Sequence, residues 1–490
     1  MVMSMQTDLT PAPRPRNTTA EEVRRIVARA RAAQAGWAAL PVERRASVAR
    51  RALDTLIAKQ ERFIDVIVED TGRSRMETLM MEILPACDAL SFYARRAKEM
   101  LADQKVSMHF LRMKKLVVTY RPLGVVGIIT PWNGPFILGL NPTVQALLAG
   151  NAVIVKPSEV TPRAGRLVFD LFAEAGLPAD LLTVIDGDGG TGAALIESGV
   201  DKISFTGSPG TGRKVGEACG RNLIPCTLEL GGKDAMIVCA DADVERAAGG
   251  AVFGAFFNGG QYCCSTERVY AVEPIVDELT RRVVERAKNL KLGTKGEFDI
   301  GPMTWPRQLD IVERHVEDAR ARGAKILCGG RRDGRFFQPT VMTDVTHDMA
   351  IMKEETFGPV LPIMRVRDED EAVRLANDSP YGLSGTVWTR DHARGLAIAK
   401  RLDTGSVCIN DSSITYGALE APFGGRKHSG VGQVNGEAAL RGFCFAQPIV
   451  FDRFGLKEEH VWQPYTDEKA QVLRKVIKWV FGTPIGRWIS

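Results

Sequence analysis

No stretch of this 490-residue chain offers about 18 consecutive uncharged apolar residues, so nothing in it reads as a membrane-spanning helix. Metal-ligand spacing is missing too. Among nine cysteines and six histidines there is no Cys-x-x-Cys and no His-x-x-x-His pair, which argues against zinc and predicts no metal site. The cysteines (Cys87, Cys219, Cys226, Cys239, Cys263, Cys264, Cys328, Cys408 and Cys444) are odd in number and form no disulfide framework. That usage suits a reduced compartment, and a cytoplasmic location is expected. Dense basic blocks are absent as well: 64 Lys and Arg stand against 59 Asp and Glu, a formal net charge of +5, so no nucleic-acid partner is expected. Residues 1–16 contain Pro11, Pro13 and Pro15 but no apolar core of signal-peptide length, and read as a flexible tail. What remains is an ordinary globular composition, 45% hydrophobic and 25% charged, long enough for two or three domains.

Thr18 and Thr19, followed by Glu21 and Glu22, offer overlapping capping boxes, and Val23, Ile26, Val27 and Ala30 then recur at helical spacing. A second helical stretch is predicted over about 45–70. From about residue 117 the texture changes. Strands are expected at 116–120, 124–130, 151–156, 181–186 and 202–206, with helix-compatible segments such as 142–149 between them. Later strand candidates are 235–238, 268–272, 325–327, 360–366 and 406–409, with helices over 274–290 and 305–322. Short apolar strands alternating with helices predict α/β architecture, with parallel sheets covered on both faces.

Three segments carry chemistry. In Phe256-Phe257-Asn258-Gly259-Gly260-Gln261-Tyr262-Cys263-Cys264, a cysteine follows a glycine turn able to expose its sulfur. A cysteine alone is more often a small buried hydrophobe. In Thr227-Leu228-Glu229-Leu230-Gly231-Gly232-Lys233, Glu229 stands between leucines, and an apolar setting raises a carboxylate's proton affinity toward general-base duty. An ordinary strand-end glutamate is the alternative. In Thr130-Pro131-Trp132-Asn133-Gly134-Pro135, an asparagine fixed between prolines can aim its amide at a developing oxyanion. Gly187 to Gly192 matches G-x-G-x-x-G after a strand, but a lone match is weak and reads as a structural turn.

The set TPWNGPF, KPSEVTP, FTGSPGTG, LELGGK, FFNGGQYCC, EETFGPV and PFGGRKHSG, in this order from about 130 to 430, resembles the aldehyde dehydrogenase superfamily. The resemblance implies a Rossmann-like nucleotide-binding domain (17–103 and 123–231) and an α/β catalytic domain (232–430). It further implies a β-hairpin oligomerisation arm (104–122 with 431–452), leaving 453–490 as an extension. By the same resemblance Cys263 is the nucleophile, Glu229 the general base and Asn133 the oxyanion donor. Lys156 and Glu159 would hold the adenosine ribose, Gly207 and Ser208 would face the pyrophosphate, and Trp132, Glu355 and Phe357 would complete the cofactor site. Arg268 would be structural and Cys264 a wall residue. The implied reaction oxidises an aldehyde through a thiohemiacetal and a thioester that water hydrolyses. Glu159 can accept from both ribose hydroxyls and repel a 2′-phosphate, which favours NAD while leaving NADP open.

The resemblance places Phe136, Ile137, Phe257, Tyr262 and Phe423 along the aldehyde tunnel, which suits an apolar aliphatic or aromatic aldehyde. A semialdehyde or betaine-aldehyde dehydrogenase is the competing enzyme reading. A catalytically idle binding protein, or a membrane-peripheral one, is the reading from another class. Family members pair, so a homodimer or homotetramer is implied. In the extension, Thr466 can cap a helix bearing Leu473, Val476, Ile477, Val480 and Phe481 as an apolar stripe beside Arg474, Lys475 and Lys478, with Trp479 and Trp488 adding bulk. Packing on a neighbouring subunit or over a tunnel mouth is the first reading of 466–490; an interfacial helix touching a membrane is the second.

Overall fold

The computed structural model describes residues 15–489. Most of the expected N-terminal tail, 1–14, and the side chain of Trp488 lie outside the described residues. The first helix, Ala20–Ala38, begins as its sequence dictates. The Thr19 hydroxyl accepts from the Glu22 N–H, and the Glu22 carboxylate accepts from the Thr19 N–H. Such a cap is worth about 1 kcal/mol.

Two parallel sheets dominate. The first has six strands in the order Gly430–Val431, Cys226–Glu229, Lys202–Thr206, Val125–Ile129, Ala152–Lys156 and Leu182–Val184. All neighbours run parallel except the outermost Gly430–Val431, which is antiparallel. Val125–Ile129 and Ala152–Lys156 are buried throughout, as strands covered by helices on both faces must be. The second sheet orders Lys325–Cys328, Thr340–Thr343, Val360–Val366, Thr266–Val272, Asp234–Val238, Gly385–Trp388 and Cys408–Ile409, all parallel except the edge strand Lys325–Cys328. A third sheet of Gln104–Val106, Lys114–Pro122 and Cys444–Asp452 is antiparallel. Residues 430–431 thus extend the first sheet, and within 431–452 it is Cys444–Asp452 that pairs with Lys114–Pro122.

Two helical readings need correction. The single stretch over 45–70 is two helices, Val42–Ala58 and Gln60–Thr71, because Lys59 leaves helical geometry at φ −118°. A helical run from Arg75 to Met100, interrupted by a π-type turn at Leu79–Ile83, had no counterpart in the sequence reading. In the extension the helix Asp467–Gly482 forms, capped by the Thr466 hydroxyl accepting from the Lys469 N–H at 3.2 Å.

Candidate active site

The strand order of the first sheet sets the location. From Val125–Ile129 the chain builds outward through Ala152–Lys156 to Leu182–Val184, then returns to the other side of Val125–Ile129 with Lys202–Thr206. The connections therefore leave in opposite directions from the carboxyl ends of Val125–Ile129 and Lys202–Thr206, the crevice where open α/β sheets take ligands. Thr130 to Asn133 follows the first of these strands, and Gly207-Ser208 follows the second. The carboxyl end of the neighbouring strand is Glu229, in register with Thr206. Residues 230–233 then carry the chain to Asp234–Val238 of the second sheet, so the crevice also faces that sheet's loops.

The loop before Cys263 is held tightly. Asn258, Gly259 and Gly260 have φ of 54°, 62° and 72°. A side chain on Gly260 would also strike the Gly358 carbonyl, so both conformation and space demand glycine there. The Asn258 N–H donates to the Glu77 carboxylate at 2.7 Å, and the Gln261 side chain donates to the Asn258 carbonyl at 2.9 Å while accepting from the Thr304 N–H at 2.9 Å. Asn133 joins this scaffold: its amide donates to the Gln261 carbonyl at 3.2 Å, and its own carbonyl accepts from buried Arg73 and from Asn258. An amide nitrogen carries two hydrogens, so holding one orients the other. Arg73 also pairs with buried Glu82 at 3.0 Å, and Glu82 accepts from the Phe136 and Ile137 N–H groups. The helical run 75–100 thus supplies both carboxylates that fix the two loops, a contribution with no motif to announce it.

Cys263 is half-buried, and its sulfur lies 3.8 Å from that of Cys264. Cys264 is buried with Leu383 and Phe423 behind the cavity, and its thiol is pushed well up, by its hydrogen bond to Cys263 and then by burial. Glu229 is buried, and its Oε1 is an orphan, with no hydrogen-bond partner among the described residues. Its carboxyl is held well above the usual range by burial first and by the negative charge of a Cys263 thiolate second. The two glycines after Leu230 make room rather than a turn: a side chain at Gly231 would meet the Glu355 carboxylate, and one at Gly232 the Cys263 carbonyl.

The residues expected to hold a cofactor gather along the crevice. Lys156 lies 3.4 Å from the Glu159 carboxylate, and burial lowers its ammonium's proton affinity. Ser208 caps the 13-residue helix Pro209–Arg221, accepting from Thr211, and space is open around Gly210 in its first turn. Trp132 packs edge-on against Phe357, with ring centroids 5.5 Å apart. Glu355 accepts from the Gly232 N–H at 2.9 Å, and burial followed by the Glu267 charge raises its carboxyl. Phe357, at φ 51°, is fixed by a clamp that the sequence reading missed. Buried Glu267 accepts from the Thr356 and Phe357 N–H groups at 2.8 Å each and from Lys233 at 2.6 Å. Arg268 is buried and donates to the carbonyls of Lys233, Leu375 and Ala376. The Gly187–Gly192 turn is covered by the chain itself: Asp188 caps the helix Gly189–Ile196, and Asn17 and Thr18 bond to 186–191.

Cys263 and Asn133 line a cavity of about 760 Å³. Ile137, Phe257 and Tyr262 line it too, but Phe136 and Phe423 do not. Phe136 turns into the helical layer against Phe63, centroids 5.5 Å apart, and Phe423 lies behind Tyr416, edge-on at 5.2 Å. In their place stand Met80, Leu138, Phe253, Tyr416 and Leu419, with Leu84 and Ile414 exposed at the rim. Among the described residues no lysine or arginine lines the cavity, and Asp88 and Asp411 are its charged residues. Arg426, near in sequence to Phe423, pairs with Asp403 at 2.8 Å.

Against known proteins, a model described as the aldehyde dehydrogenase family matches residues 8–448. The chain is 41% identical over 448 residues to 4,4'-diapolycopene aldehyde oxidase of a Methylomonas species, covering 91% of this chain and 84% of that protein. It is 40% identical over 443 residues to a protein of Mycolicibacterium smegmatis provisionally named an NADP succinate-semialdehyde dehydrogenase, covering 89% and 85%. The solved structure of a Mycobacterium tuberculosis aldehyde dehydrogenase complexed with NAD+ is similar with a TM-score of 0.85, at 34% identity over 92% of each chain.

Proposed function

Because the chain belongs to the aldehyde dehydrogenase family, we propose that it oxidises an apolar, uncharged aldehyde to the carboxylic acid with NAD, through a thioester on Cys263. The carrying observation is the cavity: it runs onto the Cys263 sulfur and the Asn133 amide, and aliphatic and aromatic side chains make most of its wall. The donor set of the crevice fits a dinucleotide. An open helix N-terminus at Ser208 suits a pyrophosphate, the Lys156–Glu159 pair suits ribose hydroxyls, and Glu355 with Phe357 suits the nicotinamide riboside. When bound, NAD supplies the hydride acceptor. The Glu159 carboxylate disfavours a 2′-phosphate and so favours NAD over NADP.

Cys263 attacks the aldehyde carbon as the thiolate, and the Asn133 amide hydrogen not given to Gln261 meets the developing oxyanion. Oxidation leaves an acyl thioester on Cys263. Glu229, with an unpartnered oxygen and a raised proton affinity, takes a proton from water, and the hydroxide releases the acid. Oligomer formation through the antiparallel sheet, whose Phe445, Val450 and Phe451 are exposed, belongs to the same reading.

A distal carboxylate would find no cation in this cavity, which disfavours a semialdehyde acid. Asp88 and Asp411, beside Phe253, Phe257, Tyr262 and Tyr416, favour one second reading, an aldehyde bearing a quaternary ammonium group. Steady-state cofactor reduction separates them, with alkyl, aromatic, carboxylate-bearing and trimethylammonium aldehydes and NAD or NADP. The expected outcome is kcat/KM rising about tenfold from short to medium apolar chains with NAD, and lower values for carboxylates. A best substrate with a carboxylate contradicts the apolar reading, and one with an ammonium group selects the second.

A further inference from the structure

The helix Asp467–Gly482 has a broad apolar side that the described residues leave largely exposed. None of its residues is buried, and Leu473, Ile477 and Trp479 are 48%, 49% and 55% exposed. At 100° per residue, Val472, Leu473, Val476, Ile477, Val480 and Phe481 fall on one side, and Gln471, Arg474, Lys475 and Lys478 on the other. The apolar side continues beyond the helix. Phe481 packs on Phe110, with centroids 5.6 Å apart, and the loop around Phe110 leaves Leu111 and Met113 exposed. Trp462 and Tyr465, exposed just before the helix, add aromatic groups with one polar end.

We propose that this surface docks on an anionic lipid bilayer, lying in the headgroup region. Charge selects this occupant. From the start of the helix, residues 467–490 hold five cations (Lys469, Arg474, Lys475, Lys478, Arg487) against Asp467 and Glu468, both in its first turn. Arg474, Lys475 and Lys478 form no ion pair among the described residues, whereas Lys469 pairs with Glu458. A second copy seated on the apolar side would leave these cations, which lie on the opposite side, without counter-charges. A bilayer rich in anionic headgroups neutralises them while its acyl boundary takes the apolar side. No helix among the described residues is long and apolar enough to cross a membrane, so the contact is interfacial. The helix lies beyond the family match, which ends at residue 448.

Co-sedimentation of the full chain with vesicles of phosphatidylglycerol and phosphatidylcholine, without aldehyde or cofactor, tests the proposal. The expected result is binding to these vesicles that falls at least tenfold in 0.5 M salt, in pure phosphatidylcholine, and in a Leu473→Asp/Ile477→Asp variant whose thermal midpoint matches the parent's. Parent protein remaining in the supernatant, or a variant that binds equally well, overturns it. So does light scattering in which the parent, inert toward vesicles, has twice the mass of the variant, because the face then belongs to a second copy. Because no turnover is read, failure here leaves the oxidation mechanism untouched.

Discussion

A single buried carboxylate carries the sharpest consequence at the scale of the residue. Glu229 is held above the ordinary glutamate value of about 4.3 by burial and by the Cys263 charge. Between that value and its raised one, the folded chain retains a proton that the unfolded chain has lost. Stability therefore falls as pH rises through this window. Glutamine has no proton to lose, so Glu229→Gln should unfold at a higher temperature than the parent, by a margin that widens from pH 5 to pH 8. Scanning calorimetry across that range checks it, and a margin independent of pH would refute the assigned burial penalty. Glu229 was legible in the sequence as a carboxylate between leucines, but its orphaned oxygen was not, because only the fold decides which donors are absent. Neighbouring side chains fare worse. Phe136 immediately precedes Ile137, at the start of a helix, so a rotation of about 100° separates a residue facing Phe63 from one lining the cavity.

Among elements, the clamp on the Glu355–Phe357 segment is the part most exposed to test. Lys233 immediately precedes the strand Asp234–Val238 and Glu267 is the second residue of the neighbouring strand Thr266–Val272, and neither stands out in the sequence. Their pairing at 2.6 Å is a tertiary event. Glu267→Ala leaves the buried Lys233 ammonium unpaired and frees the Thr356 and Phe357 N–H groups. It should cost about 3–5 kcal/mol in denaturant unfolding and weaken cofactor binding. Replacing both partners by methionine should cost less than the single change, and the reverse order would show that the pair is not coupled. The helical run 75–100 escaped the sequence reading for a physical reason. The π-type turn at Leu79–Ile83 shifts the phase of the apolar residues just ahead of Pro85, which has no N–H to give, and the 3.6-residue period is lost across the join. With it went Met80 and Leu84 of the cavity and the anchors Glu77 and Glu82.

For the whole molecule, the alternation of short apolar strands and helices was enough to anticipate parallel α/β sheets, and the strand predictions at 202–206 and 360–366 coincide with the observed elements. The order of strands, and hence the crevice between the Asn133 loop and the Gly207 turn, was not readable from periodicity, since pairing joins segments far apart in the chain. The same limit hid the meeting of 230–233 with Glu355 and the Cys263 backbone. All parts of the account converge on one covalent bond. Intact-protein and peptide mass spectrometry of Glu229→Gln, mixed with an apolar aldehyde and NAD, should show one acyl group on the peptide bearing Cys263, absent when Cys263 is alanine. No acyl adduct, or undiminished NAD reduction by Cys263→Ala, would contradict the mechanism.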